Sequence, residues 1–379
     1  MVYSMLIEQL TEIPMSTTPQ VRDYTDHSRR LPLHVEASPV FEFLLGLFTY
    51  QARDEDPDMA AQVDSTFFEH VDAHISDEVR GILTRLTGCG ELWLTLIGVA
   101  YTAPKPHTLE GFFDHVAGYD PVELRKRLLN NAGVTAWRGF DPAVIDAAAA
   151  GEHEAIEQVM TGQGAALSRV FRLDPVKTRD DLVSLMRRIH DEVPFDEKAV
   201  MPALRRDAAA TRAMAEGTPT GEVVETVTRG ITFAMQPGMT GVVLIPSLVI
   251  RPWVMITEHD GLRFFAYPVA EEHLNLDPAA PPSSLVDTVK ALGDERRLRI
   301  LYLLNEGPLT LAELVEKLDL AKSTAHHHLR TLRTAGLTRV IVGGDDEKRH
   351  EVRGNALADL GLALQRYVNG SPSDDPTDR

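Results

Sequence analysis

The chain has little of what secreted, membrane-spanning or disulfide-stabilised proteins need. Its 379 residues include one cysteine, Cys89, so no disulfide can form within the chain, and this usage fits a reducing compartment. The most apolar stretch, residues 241–256, is interrupted by Pro246, Arg251 and Pro252 and is too short to cross a bilayer. The first ten residues lack the basic start and apolar core of a secretory signal. These absences predict a cytoplasmic protein with no membrane partner.

Motifs of catalysis and cofactor binding are also missing. The chain has no G-x-S-x-G motif, no P-loop and no G-x-G-x-x-G preceded by a strand. Cys89 lies between two glycines without a basic neighbour, which indicates a structural thiol. His70 and His74 stand one helical turn apart, but the segment lacks the H-E-x-x-H order of a zinc site, so a solvated or partly buried pair is the simpler interpretation. We predict no enzymatic activity, no cofactor and no metal.

The negative charge of the chain is unevenly distributed. The formal net charge is −18, yet residues 281–379 hold 14 Lys and Arg against 15 Asp and Glu, which leaves 24 against 41 for residues 1–280. Within residues 320–353 basic residues outnumber acidic ones by 7 to 4. Attraction to phosphate acts over about 8–10 Å in physiological salt. An acidic protein can therefore carry a basic face that suits nucleic acid.

Two short amphipathic helices joined by a tight turn are predicted between residues 309 and 337. The first starts with a T-x-x-E capping box, Thr310 and Glu313. Apolar residues then recur at three- and four-residue spacing, at Leu311, Leu314, Val315 and Leu318. The second helix begins near Lys322 and buries a stripe of Ala325, Leu329 and Leu332. Its polar, basic outer face can enter a major groove, as a helix-turn-helix requires.

The flanking sequence predicts two further helices and a two-stranded wing. Residues 286–292 form a short helix, and Asp294 caps the next one, whose predicted inner stripe is Leu298, Leu301 and Leu304. Residues 337–342 and 348–353 alternate as strands around a turn at Gly343-Gly344.

On these residues the chain resembles the ArsR-type bacterial transcriptional regulators. The likeness covers residues 284–370 and includes LGDERRLRIL, the recognition-helix segment STAHHHL and the AGL before the wing. It implies a winged helix-turn-helix that binds double-stranded DNA at a palindromic operator. In that family the first and last helices of the domain form the homodimer interface, which here would use Leu285, Val289, Leu292, Leu357, Leu360, Leu364 and Tyr367.

The predicted DNA contacts lie on the recognition helix and the wing. Side chains at the start of the helix can reach base edges, namely Lys322, Ser323, Thr324, His326 and His327. Four basic residues are placed for the phosphates or the minor groove: Arg330, Arg333, Lys348 and Arg349. His328 lies beside the inner stripe and is assigned a structural role. The wing tip, residues 345–347, is acidic where the family usually has a basic or neutral tip, so no contact is assigned to it.

Many ArsR-type proteins sense metals, but this chain lacks the ligands at the family's usual sites. The thiolate site needs cysteines near the first motif helix, and residues 310–318 contain no Cys, His or Asp. The alternative site needs Asp and His on the last helix, and residues 355–368 offer only Asp359. The adjacent His326, His327 and His328 point in different directions on a helix and cannot chelate one ion together.

The remaining chain is predicted to be a separate, mainly helical domain. Ser38 and Pro39 start a helix, and consecutive amphipathic helices are predicted from Met59 to about Gly217, in a bundle of seven to nine helices. From about Gly221 the spacing of apolar residues is no longer that of a helix, and the segment is rich in Val, Ile, Thr and Phe. This pattern predicts three or four strands, with a hairpin at Asp260-Gly261. The predicted organisation is a poorly ordered arm (1–30), an N-terminal helical domain with a small β segment (31–270), a linker (271–283), the winged helix-turn-helix (284–370) and a disordered tail (371–379).

Together these features predict a dimeric DNA-binding repressor whose N-terminal domain senses a non-metal signal. Arg251 and Trp253 are the candidate contacts for a small-molecule effector, although an internal ion pair of Arg251 with one of the many acids is the simpler interpretation. Two alternatives stay open. The N-terminal domain could be catalytic, with the winged helix as an autoregulator, or it could be a structural module that binds a partner protein.

Overall fold

The structure, a computed structural model, divides into two compact units. One comprises residues 1–220 with 235–269 and the other residues 221–234 with 270–379. The described residues are 31–54, 57–87, 90–131, 141–160, 170–231, 233, 239–274, 281–342, 348–354 and 356–369. The predicted arm, Cys89, the Gly343-Gly344 turn, the wing tip and the tail lie outside them.

The N-terminal unit is mostly helical. Strand β1 (Leu33–Val35) precedes eleven described helices: α1 Pro39–Ala52, α2 Pro57–Ala60, α3 Ser65–His74, α4 Asp77–Thr87, α5 Glu91–Tyr101, α6 Leu109–Ala117, α7 Pro121–Asn131, α8 Pro142–Ala150, α9 His153–Met160, α10 Pro175–Glu192 and α11 Glu197–Ala215. The start of α1 is confirmed, because the Ser38 hydroxyl accepts from the Val40 amide at 3.1 Å and Pro39 follows it.

Between residues 59 and 217, the range of the predicted consecutive helices, the structure describes nine complete helices, α3 to α11. One break that the sequence did not reveal separates α3 from α4. There the Ser76 hydroxyl accepts from the Val79 amide at 3.2 Å and starts a new helix. A single serine is a weak indicator of a helix boundary, so the sequence alone does not predict this break.

Helix α5 lies at the centre of the unit's core. Residues 92–100 are all buried, and the indole Nε1 of Trp93 donates to the Gln51 side chain at 2.5 Å. Burying each large apolar side chain contributes about 1.5–3 kcal/mol, so this helix is a main source of stability. In the part of the chain that is described, no single helix is long and apolar enough to cross a membrane. Helices α4 and α5 reach that length and hydropathy only when they are taken together, and they are bent by 84°.

A four-stranded sheet completes the unit, in the order β1-β2-β4-β3. Strands β2 (Gly241–Ser247), β3 (Met255–His259) and β4 (Leu262–Pro268) follow the helices, and β2 is parallel to both β1 and β4. The predicted β3–β4 hairpin is confirmed. Asp260 and Gly261 have φ of 47° and 79°, the two positive values that a type I′ turn requires. Strand β1 was not predicted, because three residues carry no measurable periodicity.

The segment that begins near Gly221 is helical, and the prediction of a strand there was wrong. Residues Thr220–Val227 form α12, and the next strand starts at Gly241. Val223 and Val224, the β-branched residues that suggested a strand, are fully buried on one side of this short helix. Tertiary burial therefore overrides their β propensity.

The C-terminal unit is a helical domain with a small antiparallel sheet. After a 3₁₀ turn, Glu271–His273, its elements are α13 Ser283–Leu292, α14 Glu295–Asn305, β5 Leu309–Thr310, α15 Leu311–Leu318, α16 Lys322–Thr334, β6 Thr338–Val342, β7 Lys348–Val352 and α17 Ala356–Asn369. The sheet order is β5-β7-β6. The predicted class, mainly α with a C-terminal winged helix-turn-helix, is confirmed.

One detail of α14 needs correction. Asp294 caps the helix as predicted, since its carboxylate accepts from the amides of Arg296 and Arg297. Leu298, however, is 48 % exposed, whereas Ile300 and Leu304 are buried. Ile300 and Leu304, four residues apart, share the buried face, and Leu298 lies about 200° around the helix from Ile300 and points outward.

Glu42 on α1 is a buried carboxyl group in the N-terminal unit. It is 5 % exposed and accepts hydrogen bonds from the amides of Leu248 at 3.0 Å and Val249 at 2.9 Å. Burial raises the pKa of Glu42 to about 7, against the opposite effect of its hydrogen bonds. Between pH 4.5 and 7 the folded protein therefore keeps a proton that the unfolded chain has released.

This proton predicts that Glu42 makes the folded state less stable as pH rises. The free energy of unfolding should lose about 2–3 kcal/mol from this group between pH 5 and pH 8. Glu42→Gln keeps an acceptor oxygen and cannot titrate, so the stability difference between wild type and variant should change by that amount. Urea unfolding followed by tryptophan fluorescence measures it, since all three tryptophans lie in residues 1–270. A difference that is equal at both pH values contradicts the prediction.

Candidate nucleic-acid interface

A capping box fixes where the first motif helix, α15, begins. The Thr310 hydroxyl accepts from the Glu313 amide at 3.2 Å, and the Glu313 carboxylate accepts from the Thr310 amide at 2.7 Å, as predicted. Those backbone and side-chain bonds lower the pKa of Glu313. The helix ends at Asp319, whose left-handed backbone (φ 50°) makes the turn toward α16.

The recognition helix, α16, buries the predicted apolar stripe. Ala325, Leu329 and Leu332 are at most 2 % exposed. His328 is 7 % exposed, and its burial lowers the pKa of the imidazole, which favours the neutral ring. Its structural assignment is confirmed. The helix therefore packs against the rest of the unit through its apolar face, and its opposite face points outward.

The predicted base- and phosphate-contacting residues of α16 lie mostly on that outer face. Lys322, Ser323, His326 and His327 are exposed, and Arg330 and Arg333 are half-buried. At about 100° per residue these six fall within a sector of about 140°. Thr324 is also half-buried and lies closer to the buried stripe. The structure brings together six of the seven residues that the sequence analysis placed on this helix.

The wing is held against the motif at its base. Strands β6 and β7 pair with Val340 opposite His350, and β5 adds a third strand that the sequence analysis missed. Arg349 Nη1 lies 3.4 Å from the Pro308 carbonyl oxygen and 3.9 Å from the Glu313 carboxylate. The side chain of Lys348 lies outside the described part of the chain. Arg349 therefore ties the wing to the start of α15.

The first and last helices of the unit present apolar side chains at the surface. Of the predicted interface residues, four are well exposed: Val289 (49 %), Leu357 (61 %), Leu364 (44 %) and Tyr367 (37 %). Leu292 and Leu360 are half-buried, whereas Leu285 is buried within the unit at 6 % exposure. An exposed apolar face of this kind suits association with another chain.

The two candidate histidines of the N-terminal unit contact backbone carbonyl oxygens. His70 Nε2 lies 3.0 Å from the Pro194 carbonyl, and His74 Nδ1 lies 2.8 Å from the His70 carbonyl. Across the described ranges, no group of three His, Cys, Asp or Glu side chains could hold a metal ion. Arg251 is half-buried, and Trp253 is 5 % exposed in the turn that joins β2 to β3.

The fold and the outward face of α16 define a winged helix-turn-helix protein, and comparison with known proteins identifies the family. The model of the bacterial regulatory proteins of the arsR family matches residues 294–339. An uncharacterised HTH-type transcriptional regulator of Methanocaldococcus jannaschii is 37 % identical over 70 residues, which are 17 % of this chain and 74 % of the relative. The chain belongs to the arsR family of bacterial regulatory proteins.

Other relatives match the same region over a smaller share of their length. The HTH-type transcriptional regulator NmtR of Mycobacterium tuberculosis is 38 % identical over 65 residues, 16 % of this chain and 54 % of the relative. A Staphylococcus aureus homolog of the cadmium resistance transcriptional regulatory protein CadC is 34 % identical over 59 residues, 15 % of this chain and 49 % of the relative. The chain thus spans about half the length of these two relatives. No solved structure matches it.

The capping box predicts a local stability effect at the start of α15. Thr310→Ala removes the hydroxyl acceptor and should destabilise this helix end by about 1 kcal/mol, which corresponds to roughly fivefold faster amide exchange in residues 311–314. Thr310→Ser keeps the acceptor and serves as the control. Hydrogen-exchange mass spectrometry of the full chain measures both. Equal exchange in the alanine variant and wild type would show that the box does not hold the helix.

Proposed function

We propose that this protein is a non-enzymatic, sequence-specific DNA-binding transcriptional regulator that acts as a homodimeric repressor. The exposed polar and basic face of α16 is the observation that carries the proposal. On this face Lys322, Ser323, His326 and His327 are exposed, and we assign them to base edges, with the half-buried Arg330 and Arg333 assigned to the phosphates. The charge pattern agrees, because the excess of acidic over basic residues lies before residue 281, where 41 acidic residues stand against 24 basic ones.

The signal that this regulator senses is proposed to be something other than a metal ion. One relative is named for cadmium resistance. In this chain residues 310–318 contain no Cys, His or Asp, and residues 355–368 contain only Asp359 among the metal-binding types. The N-terminal unit is the proposed sensor, with Arg251 and Trp253 as its candidate effector contacts.

The recognition-helix assignment predicts different effects for two substitutions. His327→Ala should lower the ratio of specific to non-specific DNA affinity by at least about fivefold, because a base contact carries sequence preference. Arg330→Ala should weaken binding to all sequences and reduce the slope of log K against log salt by about 1. Lys290→Ala, which removes one exposed positive charge from α13, is the matched control.

Fluorescence anisotropy with full-length protein measures these effects. The probes are DNA from upstream of the protein's own gene and an unrelated duplex of the same length, at about 50 and 200 mM salt. Wild type should prefer the upstream DNA, and Lys290→Ala should match it. Wild type that binds both duplexes equally would refute the proposal of sequence-specific recognition.

The homodimer is proposed from the apolar face on α13 and α17. Leu357→Glu should shift the protein to a monomer and weaken binding to a palindrome at least tenfold, because a charge would be buried between the two copies. Leu362 is 51 % exposed on the same helix and lies about 140° around it. Leu362→Glu is therefore the control and should leave the dimer intact. Sedimentation analysis measures both, and a wild-type monomer at micromolar concentration would contradict the proposal.

A further inference from the structure

The C-terminal unit includes a segment from the middle of the chain. Residues 221–230, here called the inserted segment, comprise nearly all of α12 and the turn after it. Both ends of residues 221–234 continue into the N-terminal unit, which holds residues 1–220 and 235–269. Any rearrangement of the N-terminal unit that moves these ends must act on the inserted segment through the covalent chain.

The inserted segment contacts the wing through an ion pair. Both carboxylate oxygens of Glu225 lie 3.3 Å from Nη1 of Arg339 on β6. Arg339 also pairs with Glu351, its partner across the β6–β7 ladder. Arg339 is 31 % exposed and Glu225 is 22 % exposed, so solvent screens this pair less than a fully exposed one. Glu225 thus belongs to a charge network that includes both strands of the wing.

The end of the inserted segment lies against the junction between the recognition helix and the wing. Gly230 has a φ of 112°, and a Cβ placed on it would lie 3.4 Å from the carbonyl oxygen of Thr338, the first residue of β6. A Cβ placed on Gly336, in the turn after α16, would lie 3.9 Å from the Cβ of Arg229. The same short segment therefore touches the residues that set the angle between helix and wing.

Neighbouring contacts make that junction stiff. Arg353, at the end of β7, donates to the Gly336 carbonyl at 2.8 Å and pairs with Asp359 of α17 at 2.9 Å. Arg353 therefore links the end of β7 both to the turn after α16 and to α17.

We propose that the inserted segment is the element through which the N-terminal unit controls the wing, and that Glu225 is its positioning residue. Glu225 itself touches no DNA: it holds Arg339, and through Arg339 the two wing strands, in the orientation that binds DNA. Withdrawal of the segment breaks the Glu225–Arg339 pair, frees the outer edge of β6 and weakens binding. This inference rests on the proposed DNA-binding function.

The test uses full-length protein with two variants and one matched control. Glu225→Gln removes the charge that holds Arg339 and keeps the size of the side chain. Gly230→Ala acts through geometry, because a Cβ is strained at this φ and meets the Thr338 carbonyl. Glu222→Gln removes one charge from an exposed position of the same helix. It should behave as wild type.

Two readouts are needed to separate a positioning role from a purely structural one. We expect both variants to raise amide exchange in β6 and β7 at least threefold over the Glu222→Gln control, and to weaken binding to the upstream DNA at least threefold. Unchanged exchange would show that the segment does not hold the wing. Faster exchange with unchanged DNA affinity would show that it holds the wing without any consequence for binding. Either result overturns the inference.

A failure of the proposed DNA-binding function would give a different experimental result. If wild type shows no sequence preference, the proposed regulator function fails before any variant is compared, and control of DNA binding by the segment falls with it. If wild type binds specifically and Glu225→Gln binds equally well, the inference alone fails.

Discussion

The burial of one face of α16 is the constraint on which the candidate interface depends. Ala325, Leu329 and Leu332 can leave water together only if the helix presents that side to α14 and α15. With a period of 3.6 residues, the side chains on the opposite side of the helix must then point outward. The polar face is thus positioned by the apolar residues that share its helix, and changes to the core would disturb recognition without touching a contact residue.

Features that depend on local chemistry could be predicted from the sequence. The capping box needs only Thr310 and Glu313, three residues apart, and the β3–β4 hairpin needs only Asp260-Gly261. The outer face of α16 follows from spacing alone. In each case the interactions that decide the structure lie within a few residues of one another.

Features that depend on distant partners could not be predicted. Glu225 and Arg339 are 114 residues apart, and nothing in either local sequence marks the pair. Val223 and Val224 favour a strand by propensity, and only their burial makes a helix the better solution. Strand β1 exists because β2 offers it a parallel partner from the other end of the unit. The pocket of Glu42 likewise combines α1 with a turn more than 200 residues later.

Residues 221–234 belong to the C-terminal unit, which affects how DNA binding by a truncated protein should be interpreted. A fragment that starts near residue 281 would keep the helix-turn-helix and both wing strands, but Arg339 would lose Glu225. Weak DNA binding by such a fragment would therefore not separate the loss of this ion pair from an error in the recognition-helix assignment. Glu225 precedes the last strands of the N-terminal unit in the chain, so only a protein that includes both units keeps its contact with Arg339.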